Sequence, residues 1–134
     1  MALMALQVVI AAQGGNSSVS EGVYTDEQAT RGQVAYEQEC AVCHRADLLG
    51  DGIAPALAGA AFDMRWSELS VGDMFGAMQT KMPLGAPGSL DRRTYADIAS
   101  YVLKRNRFPA GNRELAPDEG VLNKIMIPPR PSQR

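Results

Sequence analysis

Cys40-Ala41-Val42-Cys43-His44 sets two thiols three positions apart, with an imidazole directly after the second. Thiols at i and i+3 lie on one face of a helical turn. They can reach the two vinyl groups along one porphyrin edge, while the next residue brings a ring nitrogen under the iron. This is the c-type haem attachment pattern, and it supplies both a covalent tether and one axial ligand. The competing chemistry for two thiols at this spacing is a redox dithiol. That motif belongs beside a βαβ pattern, which the sequence lacks.

His44 is the only histidine, so a second imidazole from the same chain is excluded. The opposite face of the iron must take Met, Lys or solvent. Among seven methionines Met82 leads, because Lys81-Met82-Pro83 sets its thioether at a helix-to-turn boundary where the rigid proline can fix its direction. Met64, Met74, Met78 and Met126 compete. Met74 and Met78 recur at helical spacing and read as packing. A thioether opposite the imidazole raises the reduction potential and leaves no open position for oxygen or peroxide, which favours electron transfer over catalysis.

The elements that must position these groups are helical. Thr25-Asp26-Glu27-Gln28 has the form of a capping box, with the Thr hydroxyl and the Gln amide each satisfying exposed helix-end backbone, and it predicts a helix from about Asp26 to Cys40. The stretch HRADLLGDGIAPALAGAAF is punctuated by Gly and Pro and is long for an empty loop, which hints at a bound group. Ser70-Val71-Gly72-Asp73 can start a second helix that Pro83 stops, followed by turn over 83–88. From Asp91 to about Arg105, Tyr95, Ile98, Ala99 and Val102 form one apolar stripe, the best amphipathic helix in the chain. The tail has room for one short helix over 117–124. No repeat and no alternating strand appears, so the predicted class is all-α.

At 134 residues the chain suits one domain, and a formal net charge of -2 with a pI near 5.3 gives little support for binding a phosphate backbone. Two cysteines and one histidine rule out a four-ligand zinc site and a multi-disulfide framework. Residues 1–12 carry no charge and are too short to span a bilayer, which needs about 20 apolar residues; the length suits the apolar segment of a cleaved export signal. Residues 13–24 read as a flexible linker. Between Gln13 and Thr80 three bases face ten acids, whereas between Lys81 and Arg107 six bases face two acids. A dipolar molecule of that kind can steer an acidic partner toward its basic segment.

Taken together, these residues resemble class I c-type cytochromes, over about 28–107. The resemblance implies an all-α, cytochrome c-like fold wrapped around one haem c, covalent through Cys40 and Cys43, with His44 and Met82 as the axial metal ligands. Pro55-Ala56-Leu57 matches the family's loop, in which the proline carbonyl accepts a hydrogen bond from the proximal imidazole and the leucine packs on the haem. Pro55 and Leu57 therefore join the cofactor-binding set. Gly32 and Tyr36 match the small-and-aromatic pair of the first helix, where the C-terminal helix crosses. Arg45 departs from the pattern, because many bacterial relatives carry glycine after the histidine, and it leaves the path of the next loop open. Arg45 and Trp66 are candidates for contact with a haem propionate, although a solvated arginine and a packed indole are the plainer readings.

The tail resembles the extension on cytochromes that accompany quinoprotein alcohol dehydrogenases; otherwise it is a strap that buries Leu115, Leu122 and Ile125. The expected layout is a signal segment over 1–12, a linker over 13–24, a cytochrome c domain over 25–108 and a strap or docking extension over 109–134. The expected function is that of an exported bacterial, periplasmic one-electron carrier, monomeric and not an enzyme. It has no nucleic-acid partner and no stable membrane span, and it exchanges electrons with redox proteins such as a quinoprotein dehydrogenase or a terminal oxidase. The alternatives are an electron-accepting subunit of a dehydrogenase complex and a thiol oxidoreductase using Cys40 and Cys43.

Overall fold

Two long helices cross, and everything else hangs from that crossing. In the computed structural model, which describes residues 16–131, they are α1 (Asp26–Glu39) and α5 (Arg92–Arg105). Between them run α2 (Ala41–His44), α3 (Ala60–Trp66) and α4 (Val71–Lys81), and α6 (Glu119–Leu122) follows α5. The all-α expectation holds, with one addition. β1 (Ser17–Ser18) and β2 (Ile125–Met126) pair in parallel, joining the two ends of the described chain.

The caps that start the helices are local and easily read. Asp91 Oδ1 accepts from the Thr94 N–H at 2.9 Å, which satisfies an orphan donor of α5 and puts a negative charge at its positive end. Ser70 and Asp73 form a reciprocal capping box on α4, with Asp73 N–H donating to Ser70 Oγ at 3.0 Å and Ser70 N–H donating to Asp73 Oδ2 at 2.8 Å. The Ser70 N–H, and then the Ser70 hydroxyl donating to Oδ2 at 2.7 Å, hold the Asp73 carboxyl below the usual carboxylate range.

Only half of the capping box expected on α1 forms. Thr25 Oγ1 accepts from the Gln28 N–H at 3.1 Å, but the Gln28 amide does not fold back on the helix. Instead its Nε2 donates to Leu115 O at 3.0 Å and its Oε1 accepts from the Leu115 N–H at 2.6 Å. A buried amide facing the Leu115 backbone satisfies four polar groups at once, which outweighs a cap that solvent could replace.

The α1/α5 crossing depends on Gly32. A Cβ there would overlap the Asp97 carbonyl of α5, so only glycine admits this approach. Tyr36 and Tyr101 then pack with ring centroids 5.3 Å apart, and Arg31 forks onto the nearly buried Asp97 carboxylate with both N···O distances at 3.1 Å. Because the clash is with backbone, Gly32→Ala is expected to destabilise the folded protein by about 3 kcal/mol, lowering Tm by roughly 10 °C in a thermal melt. An unchanged Tm would show that the helices do not cross here.

The expected flexible linker does not describe residues 16–24. Val19 and Tyr24 are buried, and the Tyr24 hydroxyl donates to Phe108 O. Burial, with help from Asp26, pushes the Tyr24 hydroxyl up to about 12. The stretch is polar in composition, yet Val19 and Tyr24 join the core and Val23 packs against it. The signal segment expected over 1–12 lies outside the described residues.

The tail runs back along the body as a strap. Leu115, Leu122, Ile125 and Ile127 are buried, and Ile127 exchanges backbone bonds with the α3–α4 junction, donating to Leu69 O at 2.9 Å and accepting from Glu68 N–H at 2.8 Å. At roughly 25 cal/mol per Å² of apolar surface, each fully buried Leu or Ile contributes about 2 kcal/mol before entropy is counted. Among the described residues, no helix is long and apolar enough to cross a membrane.

Candidate functional site

Cys40 is where α1 stops and α2 begins. Its N–H donates to Tyr36 O at 2.8 Å, and its own carbonyl accepts from Cys43 N–H at 3.2 Å and His44 N–H at 2.9 Å. The single turn of α2 therefore places both sulfurs and the imidazole on a segment anchored to the end of α1. Both cysteines are free thiols, Cys40 half-buried and Cys43 exposed. Burial, with a contribution from Glu39, pushes the Cys40 thiol up to about 11.

His44 is buried, at 6% exposure. Its Nδ1 donates to Pro55 O at 2.9 Å, since a carbonyl can only accept. This fixes the ring's orientation: Nδ1 carries a proton toward Pro55, and Nε2 is the nitrogen left to face a metal. The structure thus brings His44 and Pro55 together.

The loop between them is tightly tied. Gly50 N–H donates to His44 O at 3.1 Å and Leu57 N–H donates to Leu48 O at 2.7 Å. Gly50 has φ +69, and a Cβ there would strike the Ala54 carbonyl. Asp51 Oδ1 accepts from Ala54 N–H at 2.9 Å and Ile53 N–H at 3.0 Å, and these bonds, Ala54 first, hold its carboxyl below the usual range.

Arg45 takes φ +64 and ψ 158, a region close to glycine-only, which gives a physical reason for the glycine that the resemblance leads one to expect there. The conformation is held by the Arg45 carbonyl, which accepts from the Tyr36 hydroxyl at 2.7 Å and from Leu48 N–H at 3.1 Å. The Arg45 side chain is exposed and pairs with Asp47 at 3.1 Å. Trp66 is half-buried, with Arg65 over its ring at 5.0 Å.

Leu57 is half-buried against the core. Met82 is half-buried at the C-terminal cap of α4, with its N–H donating to Met78 O at 2.9 Å. Its carbonyl accepts from the Tyr95 hydroxyl at 2.8 Å and from Gly88 N–H at 3.3 Å. Of the competing methionines, Met74 is buried in the core, Met78 packs against it, Met126 lies in β2 and Met64 is 87% exposed.

These residues fit a c-type haem. The attachment motif offers an imidazole hydrogen-bonded through Nδ1, which leaves Nε2 to face a metal, and two cysteines at the required spacing. Beside them stand apolar side chains that water should not meet: Ile53, two residues before Pro55, is 94% exposed, and Leu84, two after Met82, is 77% exposed. An apolar ring against these segments would cover such surface.

Sequence reasoning missed Asn106, a buried C-cap of α5 whose side chain reaches the loop after Pro55. Its Nδ2 donates to Leu57 O at 2.9 Å, and its Oδ1 accepts from Gly59 N–H at 3.0 Å. No local motif could have revealed this, because the partners lie 47 and 49 residues away.

Residues 27–102 match the family model described as cytochrome C oxidase, cbb3-type, subunit III. No curated protein and no solved structure gives a significant match to the chain.

Proposed function

Since the chain belongs to this family of cytochrome c domains, we propose that it is a periplasmic one-electron carrier, with haem c joined through Cys40 and Cys43 and iron held between His44 Nε2 and the Met82 sulfur. Bound there, the haem supplies reversible one-electron exchange. The observation that carries the reading is the 2.9 Å bond from His44 Nδ1 to Pro55 O, which turns Nε2 into a fixed, more basic donor.

The chain's own residues do the rest. The Pro55 carbonyl orients the imidazole, so that little reorganisation accompanies a change of charge at the site. Tyr95, through the Met82 carbonyl, braces the end of α4 that presents the thioether. Packed against a bound haem, the exposed Ile53 and Leu84 would exclude water, which favours the lower-charged state and so a higher potential. Redox proteins are the partners, a terminal oxidase or a quinoprotein dehydrogenase among them; the surplus of bases over 81–107 is partly spent within the chain, where Arg92, Arg93 and Lys104 pair with Glu119, Glu114 and Asp26.

An electron-accepting subunit docked through the tail is the less supported reading. Leu115, Leu122, Ile125 and Ile127 are spent inside this chain rather than offered to a partner. Visible spectra of protein matured in a host able to attach haem test the proposal. The reduced form should show the sharp α and β bands of a low-spin c-type haem, and the oxidised form a weak far-red sulfur-to-iron band. Colourless protein from that host refutes it.

A further inference from the structure

The loop that carries Pro55 is clamped on both sides. On the N-terminal side Asp51 holds the amides of Ile53 and Ala54. On the C-terminal side it is held by the Leu57 N–H bond to Leu48 O and by one side chain. Asn106, 2% exposed, donates from Nδ2 to Leu57 O at 2.9 Å and to Val102 O at 2.9 Å, and accepts at Oδ1 from Gly59 N–H at 3.0 Å. Every hydrogen-bonding direction is used, so the amide can sit only one way round.

Asn106 is itself locked by the strap. Arg130 Nη1 donates to the Asn106 backbone carbonyl, its Nη2 lies 3.4 Å from Asn106 Oδ1, and its guanidinium is fixed by Asp63 Oδ1 at 2.8 Å from Nε. The same guanidinium covers the Phe108 ring at 4.9 Å. A continuous path therefore runs from Arg130 through Asn106 to Leu57 and Gly59, and from there to the Pro55 carbonyl on His44.

We propose that Asn106 is a positioning residue for His44, and that Arg130 makes the C-terminal strap part of the proximal ligand's support. The inference rests on the functional reading above, in which His44 Nε2 is the ligand atom. Asn106 touches neither imidazole nor haem; it acts by keeping the Pro55 carbonyl within hydrogen-bond reach of Nδ1. When that carbonyl moves away, the imidazole becomes a weaker donor, ferric iron loses more stabilisation than ferrous iron, and the potential rises.

The test uses the matured, ¹⁵N-labelled full chain in its ferrous form, comparing wild type with Asn106→Leu, Asn106→Asp and Arg130→Gln. Two quantities are read well below each variant's Tm: solvent exchange of the His44 Nδ1–H by NMR, and the reduction potential. Asn106→Leu should accelerate exchange about tenfold or more and raise the ferrous-to-ferric ratio at fixed ambient potential about threefold. Asn106→Asp keeps the acceptor for Gly59 but loses the donor to Leu57, and should fall between Asn106→Leu and wild type. Arg130→Gln should move both quantities in the same direction by less.

A merely structural role would lower Tm and leave both readouts at wild-type values in the folded, fully haem-loaded variants, and that result overturns the inference. Should Asn106→Leu fail to fold, Arg130→Gln and Asn106→Asp decide by the same criterion. Absence of haem in wild type refutes the functional reading instead, and the inference with it.

Discussion

Met82→Ala is expected to abolish the ferric sulfur-to-iron band and to lower the reduction potential by on the order of 100 mV or more, since axial ligands move haem potentials across hundreds of millivolts. The substitution is clean because the backbone at Met82 does not depend on its side chain. Its N–H stays on Met78 O, and its carbonyl stays on the Tyr95 hydroxyl and the Gly88 amide. Truncation should therefore empty a coordination position without melting α4. Oxygen, carbon monoxide or cyanide should then bind, which the wild type should resist. The competing sulfurs make the test sharp. Met74 is buried among core side chains and Met64 points to solvent at 87% exposure, so neither is placed to replace Met82 without rearrangement. If the band survives in Met82→Ala and disappears in Met78→Ala, the ligand is Met78 and the turn after α4 has another purpose.

The elements legible in the sequence are those whose causes are local. The starts of α1, α4 and α5 follow from Thr25, Ser70 and Asp91, each bonding an amide three residues on, and the α5 stripe follows from helical periodicity. α3 was not legible. It opens on Gly59, which offers no side-chain cap, and the Gly59 amide is satisfied by Asn106 from the far end of α5. The same non-local logic sends the Gln28 amide to Leu115 rather than to its own helix, and it buries Tyr24, whose hydroxyl partner is 84 residues away. At the site, Cys40, Cys43 and His44 declare themselves by spacing, because their chemistry fits within one helical turn. The roles implied for Pro55 and Leu57 needed a family pattern, as eleven residues separate Pro55 from His44. Asn106 and Arg130 left no trace, since nothing near them in sequence names their partners.

Cys40→Ser combined with Cys43→Ser should eliminate any haem-sized mass increment that survives denaturation, even from a host that attaches haem efficiently. The tether does more than prevent loss of the cofactor. It holds the porphyrin at a high effective concentration beside His44, so that iron ligation becomes an intramolecular event. With two hydroxyls in place of the thiols, haem must bind from solution, and what binds should be removed by acid and organic solvent. His44 and Pro55 are untouched by the change, so added haem should still give a low-spin spectrum whose α band is shifted toward that of a non-covalent protein. Stability should fall as well. A ligand that binds only the folded chain contributes about 4 kcal/mol at a thousand times its Kd, and losing that amount lowers Tm by on the order of 10 °C. The single variants separate the two sulfurs. Cys40 is half-buried at the end of α1 whereas Cys43 faces outward, so Cys40→Ser should disturb the packing near Tyr36 more than Cys43→Ser disturbs any neighbour. Haem that resists extraction from the double variant would show that its attachment runs through other atoms, and the assignment of Cys40 and Cys43 would fall.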